Sequence, residues 1–242
     1  MTGRRILVTN DDGIDSPGLH ALALAMQPLG EVTVFAPSRE YSGAGAGIGH
    51  IGDGIADVHE VHRPELEGLV AYCFDGPPAL AALLALQGLF GWRPDLVVSG
   101  INPGWNVGLA VHFSGTIGAV ITAEQLGVPG LAVSQQAGEV QHWQTAAAVA
   151  ADVAMSLGPD AVAYNVNVPN VEASLLVGIR WTGLGNRIPY RMRNARLEPA
   201  GLGRHAVQFD RDGHYDTAEG TDSAAVEAGF AAITRLRPTG AW

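Results

Sequence analysis

Short, continuous apolar runs alternate along the chain with longer segments whose apolar residues recur at helical spacing. The first run, Ile6–Val8, is typical of a parallel strand that is buried on both faces. Pro17–Gln27 follows with apolar residues on one helical face, and Val32–Ala36 is a second apolar run. A strand, a helix and a strand within about thirty residues predict the βαβ unit of a doubly wound α/β sheet.

The same alternation continues as far as Val168. It predicts strands at Asp57–His62, Leu69–Phe74, Leu96–Ser99, Pro129–Ser134 and Ala161–Val168, and helices at Pro77–Leu89, Ile117–Leu126 and Gln144–Leu157. We expect the strands Asp57–His62 and Leu69–Phe74 to form a hairpin arm. Residues 1–168 are therefore predicted to form an α/β core, in which a mostly parallel sheet carries helices on both faces.

The pattern weakens after Val168. Residues 183–216 are rich in Gly, Arg and polar side chains, and they precede a predicted helix, Ser223–Gly229, and a predicted strand, Ala231–Leu236. We expect residues 169–242 to form a C-terminal arm that packs on the core and contacts another subunit. The alternative is a solvated surface with mobile loops.

Composition excludes several classes of function. The 242 residues are 47% apolar, which is enough to bury a sizeable core in one large domain. The net charge of −10 argues against a nucleic-acid polymer as a partner. Lysine is absent, which removes the P-loop lysine, Schiff-base chemistry and Ser–Lys dyads. The single cysteine, Cys73, permits neither an internal disulfide nor a cysteine-based zinc site.

The sequence predicts neither a membrane span nor a secretion signal. Its longest apolar run, Ala79–Leu86, is far short of the roughly 20 residues that a membrane span needs. Met1 leads directly into the first predicted strand, without the apolar stretch of a secretory signal. These observations predict a cytoplasmic protein without a membrane partner.

Two adjacent carboxylates follow the first predicted strand, in the sequence Asn10-Asp11-Asp12-Gly13. The carboxyl end of such a strand is where open α/β sheets bind ligands. Adjacent carboxylates repel each other unless a cation or a proton lies between them, and their hard oxygen atoms suit Mg²⁺, Mn²⁺ or Ca²⁺. The alternative is a polar turn in which Asp12 or Asp15 caps the next helix.

Two further loops carry polar side chains that could complete such a site. In the first, Ser42 precedes a run of alternating glycines, and its hydroxyl either reaches a bound ion or phosphate or belongs to a simple turn. In the second, after Leu96–Ser99, Asn102 offers a carbonyl oxygen to a hard cation and Asn106 offers N–H groups to an oxyanion. Both asparagines also favour left-handed turn conformations, which is the alternative explanation for them.

The segment Ser114-Gly115-Thr116 comes directly before the predicted helix Ile117–Leu126. A helix start of this kind presents free N–H groups and hydroxyls, which can bind an anion. Ordinary N-capping by Ser114 or Thr116 is the alternative. Together with the carboxylate pair, this segment predicts a cation site next to an anion site.

Four segments form a set that is more specific than any one of them. They are Val8–Gly18 (Val-Thr-Asn-Asp-Asp-Gly-Ile-Asp-Ser-Pro-Gly), Ala36–Gly43 (Ala-Pro, then Ser-Gly), Ser99–Gly108 (Ser-Gly-Ile-Asn-Pro-Gly-Trp-Asn-Val-Gly) and Ser114–Thr116. In this order they strongly resemble the survival protein SurE family, whose members are metal-dependent 5′- and 3′-nucleotidases. The resemblance implies a divalent-metal-dependent phosphomonoesterase that hydrolyses nucleoside monophosphates, acting as a 5′-nucleotidase and possibly also as a 3′-nucleotidase.

The resemblance also implies roles for individual residues. The positions that bind one divalent cation (Mg²⁺, Mn²⁺ or Ca²⁺) in the family fall on Asp11, Asp12, Ser42 and Asn102. The positions that line the phosphate site fall on Asn106, Ser114, Gly115 and Thr116. The implied catalytic set is Asp11, Asp12, Asn106 and Ser114. The family fold, a Rossmann-like core with a C-terminal arm exchanged between subunits, implies a homodimer or homotetramer.

The chain departs from the family pattern at two places. The family commonly carries Gly-Thr-Pro-Ala-Asp-Cys-Val where this chain has Asp75–Ala81 (Asp-Gly-Pro-Pro-Ala-Leu-Ala), and it usually has Glu where this chain has Thr122. The departures bear on the preference among nucleotides. The changed segment also supports the alternative function, a non-catalytic, metal-dependent nucleotide sensor on the same scaffold.

Overall fold

Strands and helices alternate through the chain. The computed structural model describes residues 3–49, 56–160, 162–186, 190–213 and 218–236. The strands are β1 (Arg4–Thr9), β2 (Gly30–Pro37), β3 (Val58–Glu60), β4 (Val70–Phe74), β5 (Leu96–Pro103), β6 (Gly130–Gln135), β7 (Ala163–Val168), β8 (Gly178–Thr182), β9 (Tyr190–Pro199), β10 (His205–Gly213) and β11 (Phe230–Leu236). The helices are α1 (Pro17–Met26), α2 (Pro78–Leu86), α3 (Gly115–Gln125), α4 (Trp143–Ser156) and α5 (Asp222–Glu227). Within these residues, no helix has the length and apolar character needed to span a membrane.

The main sheet has the doubly wound arrangement that the sequence predicts. In the described part of the chain it contains nine strands, in the order β3-β4-β2-β1-β5-β6-β7-β11-β8. Strand β1 pairs in parallel with β2 on one side and with β5 on the other. The chain extends the sheet first through β2 and then, from the opposite side of β1, through β5, β6 and β7. The direction of winding therefore reverses between β1 and β5, where ligands bind in sheets of this kind.

The apolar run of β1 joins two helical layers. Ile6 and Val8 belong to the apolar cluster formed with α1 and α4, whereas Leu7 belongs to the cluster formed with α2 and α3. All three side chains are completely buried, and burial of each contributes about 1.5–3 kcal/mol relative to exposure. On the first face α1 packs closely on β5, because a Cβ at Gly18 would lie only 2.4 Å from the Ile101 carbonyl oxygen. These contacts hold the strand ends at which the site is built.

Two predicted elements differ from the structure. Strand β3 pairs antiparallel with β4, as the predicted hairpin requires, but β4 also pairs in parallel with β2. The hairpin is therefore an edge of the main sheet and not a separate arm. The strand predicted at Leu96–Ser99 continues to Pro103, because after a shift of register Asn102 pairs opposite Ser134. Asn102 therefore lies in a strand and not in a loop.

The main sheet continues beyond Val168. Strand β11 pairs antiparallel with β7, and β8 lies parallel to β11. Ala231 and Ile233 of β11 are buried in the same apolar cluster as α1 and α4. Strands β9 and β10 form a separate antiparallel ribbon, and side chains 194–208 are all exposed. The division into residues 1–168 and 169–242 stays a prediction, but among the described residues after 168 the segment outside the main sheet with its own strand pairing is this ribbon.

Candidate functional site

The turn after β1 is closed by the side chain of Asn10. Its Nδ2 donates to the Gly13 carbonyl oxygen (3.0 Å), and the Gly13 N–H donates to its Oδ1 (3.2 Å). Gly13 has a φ of +100°, a conformation that favours glycine. The Ile14 N–H donates to the Pro37 carbonyl oxygen (2.8 Å), which ties the turn to the end of β2. The two carboxylates inside the turn are thereby held on an ordered backbone at the sheet edge.

The carboxylates do not cap α1. This helix begins at Pro17, with Ser16 as the N-cap residue. Asp15 forms an ion pair with Arg63 instead (2.5 Å). Asp12 Oδ2 is a buried atom without a hydrogen-bond partner among the described residues. The alternative that Asp12 or Asp15 serves as a helix cap is therefore wrong.

Asp11 lies against the start of α3 and is only 3% exposed. The Thr116 hydroxyl donates to Asp11 Oδ1 (2.6 Å). Gly115 has no room for a side chain, because a Cβ there would lie 2.8 Å from Asp11 Oδ2. The pKa of Asp11 is raised above its ordinary value by burial. Hydrogen bonds from the Thr116 hydroxyl and from the N–H groups of Thr116 and Gly115 offset part of this rise. In this structure Gly115 and Thr116 hold the Asp11 carboxylate, and their contact with phosphate stays a prediction.

Asp12 is surrounded by negative charge. Its burial and the charges of Asp11 and Glu40 raise the pKa of Asp12 from its ordinary value of 3.8 to about 7. Ser42 belongs to the same group, because its hydroxyl donates to Glu40 Oε1 (2.7 Å). The Tyr41 N–H donates to the main-chain oxygen of Asp11 (2.7 Å), so the loop that carries Ser42 is attached to the carboxylate pair.

Asn102 lies on the same edge of the sheet, at the end of β5. Its Nδ2 donates to the Gly104 carbonyl oxygen (2.7 Å), which leaves Oδ1 for a cation. Thr9 and Ser99 lie opposite each other in β1 and β5, and their buried hydroxyl oxygens have no partner among the described residues. Unpartnered polar atoms therefore occur at the end of β1 and at the neighbouring position within β5.

The predicted metal ligands fit a hard cation. All four offer oxygen atoms, and the unpartnered Asp12 Oδ2 together with the raised Asp12 pKa indicates a carboxylate that lacks a positive partner. In the residues that the structure describes, no group of three or more His, Cys, Asp or Glu side chains could hold a metal ion. The candidate site therefore needs the hydroxyl of Ser42 and the amide oxygen of Asn102 beside its two carboxylates.

Asn106 is held by both its main chain and its side chain. Its N–H donates to Asn167 Oδ1 (2.7 Å), and its carbonyl oxygen accepts from Asn165 Nδ2 (2.7 Å). Its own Nδ2 donates to the Ser134 hydroxyl (2.9 Å). Asn165, Asn167 and Ser134 are completely buried. Since an amide nitrogen carries two hydrogens, one remains on Asn106 for an oxyanion.

Ser114 acts as the N-cap of α3. Its hydroxyl oxygen accepts from the Ile117 N–H (3.2 Å), so the capping contact is present. The hydroxyl hydrogen is not used in this contact, and it can still be donated to an anion. The glycine-rich loop after Ser42 lies next to the start of α3, because the Gly45 N–H donates to the Phe113 carbonyl oxygen (3.2 Å).

The changed segment Asp75–Ala81 contacts the rim of this site. Asp75 Oδ1 accepts from Arg39 Nε (2.9 Å) and from the Tyr41 hydroxyl, and both of these residues belong to the loop that carries Ser42. These hydrogen bonds lower the pKa of Asp75. The departure from the family pattern therefore lies beside the carboxylate pair and not within it.

Sequence reasoning missed several residues of this site. They are Glu40, Ser134, Asn165 and Asn167. A signal for the last two was available, because two asparagines alternate with valines in a predicted buried strand. Buried polar side chains need hydrogen-bond partners, so such a pattern indicates a built polar network.

Comparison with known proteins supports a single family. The family model for survival protein SurE matches residues 6–191. The chain is 38% identical over 239 residues to the 5′-nucleotidase SurE of Chloroflexus aggregans, covering 96% of this chain and 92% of that protein. It is 40% identical to the 5′-nucleotidase SurE 1 of Thermus thermophilus over 244 residues, covering 95% of this chain and 90% of that protein.

Further comparisons agree with this result. The chain is 35% identical over 237 residues to the 5′/3′-nucleotidase SurE of Yersinia enterocolitica, covering 96% of this chain and 91% of that protein. The crystal structure of the SurE protein from Aquifex aeolicus matches with a TM-score of 0.79 at 31% identity, covering 96% of this chain and 93% of that chain. The similarity therefore extends over almost the whole length of the proteins compared.

Proposed function

Because the chain belongs to the SurE family, we propose that it hydrolyses nucleoside monophosphates to nucleoside and phosphate with the help of one divalent cation, Mg²⁺, Mn²⁺ or Ca²⁺. Its relatives are named 5′-nucleotidase or 5′/3′-nucleotidase, which supports this substrate class. The observation that carries the proposal is the buried, unpartnered Oδ2 of Asp12 after β1, together with the firmly held amide of Asn106 after the neighbouring strand β5. This arrangement suits a cation next to a phosphate group.

The residues of the site divide the work of phosphoryl transfer. Asp11, Asp12, Ser42 and Asn102 would hold the cation, which when bound neutralises phosphate charge and makes water a better nucleophile. Asn106 and Ser114 donate hydrogen bonds to the phosphoryl oxygens, where charge develops in the transition state. Gly115 and Thr116 also bind the phosphate group in this proposal, and in addition they orient the Asp11 carboxylate.

Preorganisation is the main contribution of the protein in this mechanism. Asn165 and Asn167 hold the main chain of Asn106, and Ser134 holds its side chain. A donor that is already in place when charge develops requires no rearrangement during the reaction. We therefore infer that these three residues support catalysis without touching the substrate.

We also propose that the protein is a homodimer or homotetramer that associates through the β9–β10 ribbon. Three apolar side chains of the ribbon support this, because Leu197, Leu202 and Val207 are 66%, 104% and 61% exposed. The net charge of −10 supports the expectation that no nucleic-acid polymer is bound. A cytoplasmic location stays a prediction from the sequence.

Phosphate release tests the proposed activity. Nucleoside 5′- and 3′-monophosphates are incubated with the protein after exhaustive chelation and again after addition of Mn²⁺, Mg²⁺ or Ca²⁺. We expect no turnover without metal and full turnover with at least one of the cations. A sensor would show a nucleotide-dependent rise in melting temperature without phosphate release. Full activity after chelation would contradict the metal-dependent mechanism.

A further inference from the structure

Asp222 is a completely buried carboxylate that belongs neither to the proposed cation site nor to the phosphate site. Its Oδ2 accepts a hydrogen bond from the Gly108 N–H (2.8 Å). Its Oδ1 accepts from the N–H groups of Gly185 and Ser223 (2.9 Å each). The pKa of this carboxyl group is raised above its ordinary value by burial, and the N–H partners offset part of that rise. Both carboxylate oxygens are therefore used by main-chain donors.

The partners of Asp222 belong to two segments that are far apart in the chain. Gly108 comes two residues after Asn106, at the end of the loop that presents the Asn106 amide. Gly185 lies between β8 and β9, where the chain leaves the main sheet for the ribbon. The Asp222 N–H also donates to the Gly183 carbonyl oxygen (2.9 Å), so this residue holds the segment before the ribbon at two points.

Apolar packing attaches the Asn106 loop to the same part of the chain. Val107 is completely buried in a small cluster with Ala225, Val226 and Ala232, which belong to α5 and β11. Trp105 Nε1 donates to the Val168 carbonyl oxygen (2.9 Å), at the end of β7. Val107 is thus docked on elements that come after the predicted core, and Trp105 packs against the same cluster while it donates to the last residue of that core.

We infer that Asp222 is a positioning residue, which holds the Asn106 loop through Gly108 and couples it through Gly185 to the segment between β8 and the β9–β10 ribbon. A carboxylate suits this task because both of its oxygens accept hydrogen bonds. An amide of the same shape accepts at one end only, and its NH₂ group would face an N–H donor at the other. The inference rests on the proposed function only for its kinetic consequence.

The substitution Asp222→Asn tests the inference in the full-length protein. With Mn²⁺ and a nucleoside 5′-monophosphate, we expect kcat to fall by about 10²-fold, the effect of a small misplacement of a catalytic group. KM should change much less, because Asn106 acts mainly on charge that develops in the transition state. The rise in melting temperature on addition of Mn²⁺ should be retained, since Asp222 has no contact with Asp11 or Asp12 among its hydrogen bonds.

Amide hydrogen exchange gives a readout that does not depend on activity. In Asp222→Asn, the Gly108 and Gly185 amides should both lose protection, while the Ile117 amide in α3 should not change. Ser223→Ala is the matched control, because it removes only a 3.4 Å hydroxyl contact and leaves the carboxylate in place. This control should have the kcat and the protection pattern of the wild-type protein.

Several outcomes would overturn the inference. They are a wild-type kcat in Asp222→Asn, a protected Gly108 amide in that variant, or a parallel loss of kcat, Mn²⁺ response and melting temperature that indicates a merely structural role. If the variant does not fold, amide hydrogen exchange of the wild-type protein still tests the inference. Mn²⁺ with inorganic phosphate should then raise the protection of the Gly108 and Gly185 amides together, and a rise at Gly108 alone would contradict the coupling. A wild-type protein without turnover would contradict the proposed function, while the exchange result would still test Asp222.

Discussion

The carboxyl edge of the main sheet and the β9–β10 ribbon depart in opposite ways from the usual distribution of side chains. At the sheet edge, polar side chains are buried, with exposures of at most 8% for Asp11, Asn106, Ser114, Asn165 and Asn167. On the ribbon, apolar side chains are exposed, with exposures of at least 61% for Leu197, Leu202 and Val207. The unpartnered Asp12 Oδ2 at the sheet edge and the exposed apolar side chains of the ribbon each indicate contact with something outside the described residues.

The two regions differ in what completes them. A buried polar atom without a partner costs about 1–3 kcal/mol, so the unpartnered Asp12 Oδ2 at the sheet edge indicates a small polar ligand. An exposed apolar group makes no such demand on the fold, but several on one ribbon indicate contact with another protein surface. The comparison therefore assigns chemistry to the sheet edge and association to the ribbon, and variants can separate the two.

The largest effect on turnover is expected for Asp12→Asn. It should lower turnover by on the order of 10³-fold or more, because it weakens the cation site next to the phosphate. Without metal, the variant should be as stable as the wild type or more stable by about 0.5–2 kcal/mol, since a partly buried charge that is repelled by Asp11 and Glu40 is removed. Added Mn²⁺ should raise its melting temperature much less than that of the wild type. Phosphate release and thermal melts with and without Mn²⁺ measure these effects.

The pH dependence of the metal-free protein sharpens this prediction. The folded-state pKa of Asp12 is raised to about 7, so ionisation of Asp12 destabilises the fold as the pH rises from about 4 to above 7. The advantage of Asp12→Asn should therefore be present at pH 8 and absent at pH 4. Asp210→Asn makes the same change on the ribbon and should alter stability by less than about 0.5 kcal/mol. An active Asp12→Asn protein with the Mn²⁺ response of the wild type would refute the ligand assignment.

A smaller effect is expected for Asn167→Ala. The Asn106 N–H loses its acceptor, so kcat should fall by about 10²-fold through misplacement of the Asn106 amide. Unlike Asp12→Asn, this variant should also lose about 1–3 kcal/mol of stability, because a buried donor is left unpaired. Asn170→Ala is the matched control, since Asn170 bonds to His142 and Val140 and not to Asn106. Kinetics and denaturant melts check both variants, and equal kcat values in the two would show that Asn167 does not position Asn106.

Local signals in the sequence were sufficient for the framework of the fold. The apolar run of β1 ends abruptly at Asn10, which identified both a buried strand and the start of the site. The helix predicted from Pro17 likewise begins at that residue in the structure, with Ser16 as its N-cap residue. The mostly parallel, doubly wound sheet followed from the βαβ rule, because connections of this kind place successive strands in parallel on a common sheet.

Features that depend on long-range pairing could not be obtained in this way. The extension of β5 to Asn102 requires its pairing with Ser134 of β6, about thirty residues later. The hydrogen bonds that hold Asn106 require that β7 lies beside β6, because only then can the asparagines of β7 reach the main chain of the loop after β5. The addition of β11 to the sheet was missed for the same reason, because its short apolar segment follows a long polar stretch.

The smallest effect on turnover is expected on the ribbon. Leu197 and Val207 lie opposite each other on β9 and β10, and both are exposed. Replacing both by Ser should reduce the oligomeric state measured by light scattering, because the apolar contact between subunits is lost. The stability of the separated chain should change by less than about 0.5 kcal/mol, since neither side chain is buried within it.

Turnover with Mn²⁺ should stay within about threefold of the wild type, because a substitution on the surface and remote from the site has only a small effect on the reaction. Leu24→Ser is the matched control, because Leu24 is an exposed leucine (42%) on α1 and not on the ribbon. It should leave the oligomeric state unchanged. An unchanged oligomeric state in the double variant would show that the subunits do not associate through the ribbon. A loss of turnover comparable to that of Asp12→Asn would show that the ribbon contributes directly to the chemistry, and the separation between the two regions would no longer hold.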